Sequence, residues 1–481
     1  MKLGRLLVVV GLAWGCGSRE VSRIGADAPP LAEDAPPAVA DAPPDALGPD
    51  AAPATVTYLK PGLTDNLPQW FGATIAMSAD GSTLAIGTPN DDSGALGVHS
   101  TPPADASDEN NGAVYIFVRG GTGSWTPQAY LKPSFRTGYV QFGKSVALSA
   151  DGSQLAVGAP YYSPASSPPG GDVSNIGFVE TFARSGTTWS FQANLRPAIV
   201  MNAQYFGWKV ALSGDGATLI SPSSLDGALF VFTKVGDTWT QQPNITAPDA
   251  LNGDVVLSTD GTLLAVVAGG AGPCGPPPYG ACAGRIYTFK LTAGAWSQET
   301  SFQLTNPMVE QPLQGNIGMS GDGSEIAAGV DTGYVNGFST GKVALFARTG
   351  SAWTQETTLP ASNTGGAIGG IAFSADGTRL ALGAAGDRSC SRGYGGDPTD
   401  TGCMGAGAVY ELTRTGTAWS EVYIKAPNTD AGDNFGTAVA LSADGATLAV
   451  GAYAEQSRAT GVNGDQSDNT GQIQGAVYVF E

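Results

Sequence analysis

Short apolar runs recur along residues 56–481, each broken by turns rich in Gly, Asp and Ser. In 142–149 apolar and small polar residues alternate with period two, the pattern of a half-buried strand. Ser149, Asp151 and Gly152 then supply a turn, since Asp bonds nearby backbone and Gly accepts positive φ. A second apolar run follows at 155–160, and then a connection of variable length. A third run starts at a Gly, as in 112–117 and 475–480. A small turn and a Trp open a fourth, as in 125–133. Four such runs predict one four-stranded sheet.

The Ser-x-Asp-Gly turn occurs seven times, starting at Ser78, Ser149, Ser213, Ser258, Ser320, Ser374 and Ser442. The mean spacing is roughly 60 residues, against about 40–45 for a four-stranded propeller blade, so the repeats carry insertions. A Trp opens the fourth run at Trp125, Trp189, Trp239, Trp296, Trp353 and Trp419. Recurrence in nearly every repeat predicts packing between blades rather than chemistry. The seventh repeat reaches Glu481 after its third run. Its fourth run stands instead at the other end of the region, where Tyr58-Leu-Lys-Pro61 matches Tyr130-Leu-Lys-Pro133. The expected fold is all-β: a seven-bladed β-propeller over 56–481, closed by an N-terminal strand that completes the last blade. Closure leaves only short, protected edges, whereas an open array needs capping repeats.

Residues 1–55 read differently. Lys2 and Arg5 precede an apolar stretch, 6–14, that is too short to span a bilayer. Cys16 follows. The arrangement resembles a bacterial lipoprotein signal. That implies removal of residues 1–15, lipid on Cys16, and an exported protein anchored in the envelope, at the outer membrane. A plain secretory signal is the alternative. Residues 16–55 are rich in Ala, Pro and Asp, with Asp-Ala-Pro-Pro starting at Asp27, Asp34 and Asp41. A disordered, polyproline-like tether is expected there.

The repeat is similar to the FG-GAP repeat of integrin alpha-chain-like propellers. The Phe-Gly element stands at Phe71-Gly72, Phe142-Gly143, Phe206-Gly207 and Phe435-Gly436. Gly158-Ala159-Pro160 carries the second element, with variants at Gly87 and Gly451. Repeats 4, 5 and 6 depart, with Leu251, Leu313 and Ala367 in place of the Phe. The resemblance implies that the first hairpin of a blade can bind calcium through spaced carboxylates. Here each hairpin offers one Asp: Asp80, Asp151, Asp215, Asp260, Asp322, Asp376 or Asp444. Calcium takes six to eight oxygens, so these Asp residues are read as turn formers.

Net charge is −19, which argues against nucleic acid as a partner. The single histidine, His99, aligns with Asn463 of a sister repeat, so it is read as a loop hydrogen-bonding residue; no catalytic residue is assigned. Cys274 with Cys282, and Cys390 with Cys403, form two local pairs, expected as disulfides in an exported protein. The longest connections between second and third strands fall in repeats 1, 6 and 7, which ring closure makes neighbours. One sector of that face should carry a raised wall, and insertions on one face are often binding loops. Its candidate cation or ligand residues are Asp91, Asp92 and Asp108, then Asp430 and Asp433, then Asp465 and Asp468. No cofactor is expected, save a calcium or other hard cation at Asp465 and Asp468. Loop tyrosines Tyr161, Tyr162, Tyr279 and Tyr394 suit protein or glycan contact. The leading functional expectation is a monomeric, non-enzymatic binding or adhesion module at the cell surface. It touches the membrane only through its N-terminal lipid, and its partner is an unidentified protein or glycan. A carbohydrate hydrolase or lyase, using two carboxylates from different blades, is one alternative; a structural envelope spacer is another.

Overall fold

The structure is a computed structural model. It describes residues 53, 55–62, 68–104, 110–135, 138–164, 174–224, 227–268, 284–304, 313–335, 338–360 and 368–481, all within the compact unit 49–481. The signal, the tether apart from Pro53 and Thr55, Cys16, Asp108, Tyr279, Cys274 and Cys282 lie outside the described residues.

Seven antiparallel sheets follow one another along the chain. Blade 1 runs outward through Thr74–Met77, Thr83–Thr88, Ala113–Gly121 and Ser124–Leu131. Blades 2 to 6 span 145–195, 211–241, 255–302, 313–360 and 368–424. Blade 7 takes three strands from Phe435–Leu441, Leu448–Ala452 and Ala476–Phe480. Its outer strand is Val56–Leu59, in register Val56↔Phe480 to Leu59↔Val477. The fold is thus a seven-bladed propeller whose two chain ends share one sheet. Apolar residues fill the spaces between sheets: Leu84, Tyr115 and Phe117 of blade 1 pack with Val477 and Val479 of blade 7.

The Ser-x-Asp-Gly turn is built the same way seven times. Ser149 Oγ donates to Asp151 Oδ1 at 2.6 Å and accepts the Gln154 amide at 2.9 Å, while Asp151 Oδ1 takes the Ser153 amide. The same Ser-to-Asp bond closes the other six turns. Partial burial pushes the Asp151 carboxyl up, but the Ser149 and Ser153 hydrogen bonds outweigh it and hold it below its ordinary value. The second residue of six of these turns, and the third in blade 5, also donates its amide to the next blade. Ala79 N donates to Ala150 O at 2.8 Å, Ala150 N to Gly214 O at 2.9 Å, Gly214 N to Thr259 O at 2.9 Å and Thr259 N to Gly321 O at 2.8 Å. Asp322 N then donates to Ala375 O at 3.0 Å, Ala375 N to Ala443 O at 2.8 Å, and Ala443 N back to Ala79 O at 2.8 Å. A closed collar of backbone hydrogen bonds encircles the axis.

The Phe-Gly element joins blades on the opposite face. Phe142 N donates to Asn111 O of blade 1 at 3.0 Å, and Phe71 N makes the same bond to Gln474 O of blade 7. Gly143 has φ 87°, and a Cβ there would lie 2.4 Å from the Ala113 carbonyl oxygen. Its sister contact requires glycine too: a Cβ on Gly158 would lie 1.9 Å from Gly207 O. The two halves of the motif are therefore one contact between consecutive blades. Repeats 4 and 5 lack Phe-Gly, and the blades before them place Pro222 and Val267 where Gly158 stands in blade 2.

The recurring Trp lies between blades as expected. Trp189 Nε1 donates to Gln128 Oε1 of blade 1 at 2.9 Å, and Trp239 Nε1 to Gln192 Oε1 of blade 2 at 3.1 Å. A cation on the third strand covers the ring: Arg184 Cζ is 5.7 Å from the Trp189 centroid. Its guanidinium also donates to Thr83 Oγ1 of blade 1 at 3.1 Å. Arg119 crosses the junction where the ring closes, donating to Thr447 Oγ1 at 3.1 Å and Glu481 Oε1 at 2.9 Å.

Candidate functional site

The inner strands begin on the face opposite the Ser-x-Asp-Gly turns, and the long connections emerge there. Each is tied down by a buried ion pair. In blade 1, Lys132 Nζ and Tyr130 OH, both from the outer strand segment, donate to Asp91 Oδ1 at 2.9 and 2.7 Å. In blade 6, Lys425 Nζ and Tyr423 OH donate to Asp387 Oδ1 at 3.2 and 2.7 Å. In blade 7, Lys60 Nζ donates to Glu455 Oε2 at 2.6 Å, and Asn428 Nδ2 to Glu455 Oε1 at 3.1 Å. The three lysines are fully buried. Burial pulls the Lys60 and Lys425 ammoniums below their ordinary value, and Glu455 and Asp387 offset this only in part. The acid always stands four residues past the second-strand glycine: Gly87 and Asp91, Gly383 and Asp387, Gly451 and Glu455. Blade 2 has Tyr162 at that place and Arg196 in place of the lysine, with the guanidinium 4.4 Å from the Tyr162 centroid. A cation–π contact there replaces the ion pair.

Beyond these locks the long connections fold over the outer edges of their blades. Val98 pairs with Leu131 and His99 with Tyr130. Val462 bridges Leu59, and Tyr394 bridges Ile424. His99 Nε2 is 2.9 Å from Leu96 O, within its own loop, and Asn463 Oδ1 accepts the Tyr58 amide at 2.9 Å. Cys390 and Cys403 form a disulfide within the blade 6 connection.

The sector's acids are split three ways. Asp91 is held by Lys132, and neighbouring Asp92 Oδ1 accepts the Asn110 amide at 2.7 Å. Asp430 and Asp433 stand beside Glu455 and Lys60: Asp433 Oδ2 accepts the Asp430 amide at 3.0 Å. Burial, with the Glu455 and Asp430 charges, pushes the Asp433 carboxyl up to about 7. Asp465 is exposed and Asp468 half-buried, each accepting the amide and hydroxyl two residues on, from Ser467 and Thr470. These bonds hold both carboxyls below their ordinary value. Among the described residues no three His, Cys, Asp or Glu side chains converge as a metal site.

No pattern along the chain marks the axis. All seven inner strands line a cavity of about 370 Å3 at the face of the long connections. Toward the Ser-x-Asp-Gly face a second cavity of about 200 Å3 is lined by Met77, Leu148, Leu212, Phe373 and equivalents. The larger mouth holds Lys144, Lys209, Asp254 and Asn316 over an apolar floor. Lys209 Nζ is 2.7 Å from Asp254 Oδ1. Lys144 Nζ is 4.9 Å from the Trp208 ring centroid. Tyr161 packs edge-on against Trp208 and Tyr205 at 5.9 and 5.7 Å, and exposed Tyr139 adjoins Tyr161 at 5.4 Å. Tyr162 instead packs inward on Phe135 and Phe178. A third cavity, about 380 Å3, lies off the axis between blades 3 and 4, beside Gln242 and Trp296.

Closed ring, repeated turns and paired glycines define a seven-bladed β-propeller. Residues 419–480, which include the three strands of blade 7 from Phe435 onward, match the FG-GAP repeat. Among curated proteins no sequence matches the chain. Among solved structures it is similar to the β-propeller domain of Myceliophteria thermophila Cps50 (Swd1), with TM-score 0.51 and 10% identity over 89% of this chain and 99% of that one. It also aligns with Kuenenia stuttgartiensis hydrazine synthase, with TM-score 0.49 and 15% identity over 81% and 94%. The periplasmic gluconolactonase PpgL of Pseudomonas aeruginosa aligns with TM-score 0.47 and 12% identity over 78% and 98%. At these identities the likeness is one of fold.

Proposed function

We propose that the protein is an exported, non-enzymatic binding or adhesion module. On this reading lipid on Cys16 holds it at the cell envelope, and the connections of blades 6, 7 and 1 meet a protein or glycan partner. One observation carries the reading: the carboxylates that begin these connections serve as buried anchors. Three adjacent loops are thereby fixed before any ligand arrives, which lowers the ordering cost of binding. A second reading, a carbohydrate hydrolase or lyase, is favoured by the buried pair Asp433 and Glu455, with Asp433 raised to about 7. That pair lines none of the three cavities described, so binding is preferred. The test is a screen of the purified protein against glycans and envelope proteins, with the exposed tip 464–471 replaced by a Gly-Ser segment in a parallel sample. The binding reading expects a hit that the replacement abolishes, with no shift in melting temperature on EDTA addition. Release of product from a polysaccharide, lost in Asp433→Asn, would overturn it. Mass spectrometry of the mature N-terminus checks the lipid.

A further inference from the structure

The axial cavity has the wrong charge for this molecule. The chain carries −19 overall, yet the mouth is lined by two lysines, Lys144 and Lys209, and the single carboxylate of Asp254. Lys209 and Asp254 satisfy each other at 2.7 Å. Among the described residues Lys144 is left with the Trp208 ring, at 4.9 Å, and the charge that acts on it is that of Lys209. A half-buried cation beside another cation is unfavourable unless an anion joins it.

The remaining polar groups narrow the ligand. Thr74 Oγ1 donates to Gly143 O at 2.9 Å, Ser145 Oγ to Gly207 O at 2.7 Å, and Asn316 Nδ2 to Ile368 O at 2.6 Å. These donors already have partners. Beneath them lie Ile75, Val146, Val210, Val255, Ile317 and Ile371. A cavity of about 370 Å3 falls in the range of small-molecule pockets, about 300–1,000 Å3. One cation, few free donors and an apolar floor suit a compact ligand with one negative end and a hydrocarbon body.

We infer that the axial mouth binds a small organic carboxylate, with its oxygens on Lys144 and its apolar body on the inner-strand floor, beside Trp208. Its charged groups, Lys144, Lys209 and Asp254, stand at blades 2 to 4, and none of its lining residues belongs to the partner-binding connections of blades 6, 7 and 1. Failure of one therefore leaves the other standing.

Calorimetric titration of the full-length protein with benzoate tests this, with benzamide and benzylamine as neutral and cationic analogues. One-to-one binding of benzoate alone is expected. Lys144→Met, which keeps the stem over Trp208, weakens benzoate by about tenfold or more, the usual size for a charge-assisted hydrogen bond. Lys144→Arg restores most of the affinity. Unchanged melting temperatures in both variants separate lost recognition from lost folding. Equal benzoate affinity in the wild type and Lys144→Met overturns the assignment, as does equal binding of benzamide or no benzoate binding at millimolar concentration. The same titration with Lys209→Met, which leaves Asp254 unpaired at the mouth, must also weaken benzoate; tighter binding there would contradict the charge argument.

Discussion

Burying a lysine is costly, yet Lys60, Lys132 and Lys425 share one fully buried position in three blades. Each survives because a carboxylate meets it. Blade 7 adds a further acid, Asp433, which no cation meets directly. Its carboxyl is raised from 3.8 to about 7, so the folded state keeps a proton that the unfolded chain releases near pH 4. Stability from this group is therefore greatest below pH 4, falls as the pH rises towards 7, and changes no further above it. The loss is on the order of 4 kcal/mol at most. Asp433→Asn should flatten this slope: urea midpoints of wild type and variant draw together as the pH falls to about 4 and separate at about pH 8, with the variant the more stable. Little of this was legible in the chain. Tyr-Leu-Lys was visible as a repeated string, but the acid that meets it lies in another strand's wake, and only the fold brings the two together. The same distance in sequence hid Lys144 and Trp208, which sit beside one motif in successive repeats and meet only across a blade junction.

Strands and turns were far more legible, because their causes are local. Alternation gives the strand, and Ser, Asp and Gly give the turn through bonds within five residues. One inner strand is shorter than its pattern, Ser145–Leu148 rather than 142–149, because Phe142 leaves its own sheet to bridge Gly112 of the preceding blade. The long connections carry no such local signal. Their edge pairing amounts to two residues in blade 1 and isolated bridges in blades 6 and 7. What fixes them is the lock between second-strand exit and outer strand, and this can be broken selectively. Lys132→Met leaves Asp91 buried without its cation, a change that typically costs about 3–5 kcal/mol. Adding Asp91→Leu removes the stranded charge. The double variant should lose clearly less stability than the two single losses combined, as read by urea unfolding. Additive losses would show that the pair is not coupled.

For the molecule as a whole, the match of Tyr58–Pro61 to Tyr130–Pro133 was the decisive sequence feature, and the strand Val56–Leu59 lies beside Ala476–Phe480 as that match required. The axial cavity was not legible, since it exists only when seven inner strands stand around one axis. Closure has a measurable counterpart. A chain beginning at Pro68 lacks the last blade's outer strand and leaves Ala476–Phe480 as an open edge. It should melt at lower temperature and less cooperatively by calorimetry, and a peptide of residues 53–62 added in trans should restore the transition in a concentration-dependent way. An unchanged melting curve would show that the exchanged strand contributes nothing. The position of that strand also decides how the disc responds to mechanical load. Any tug arriving through the chain before Thr55 reaches Val56 first, at the one seam not stitched by a covalent hairpin. Such load falls on an antiparallel ribbon four residues long, so the clasp that seals the disc is also the first part of it to bear force.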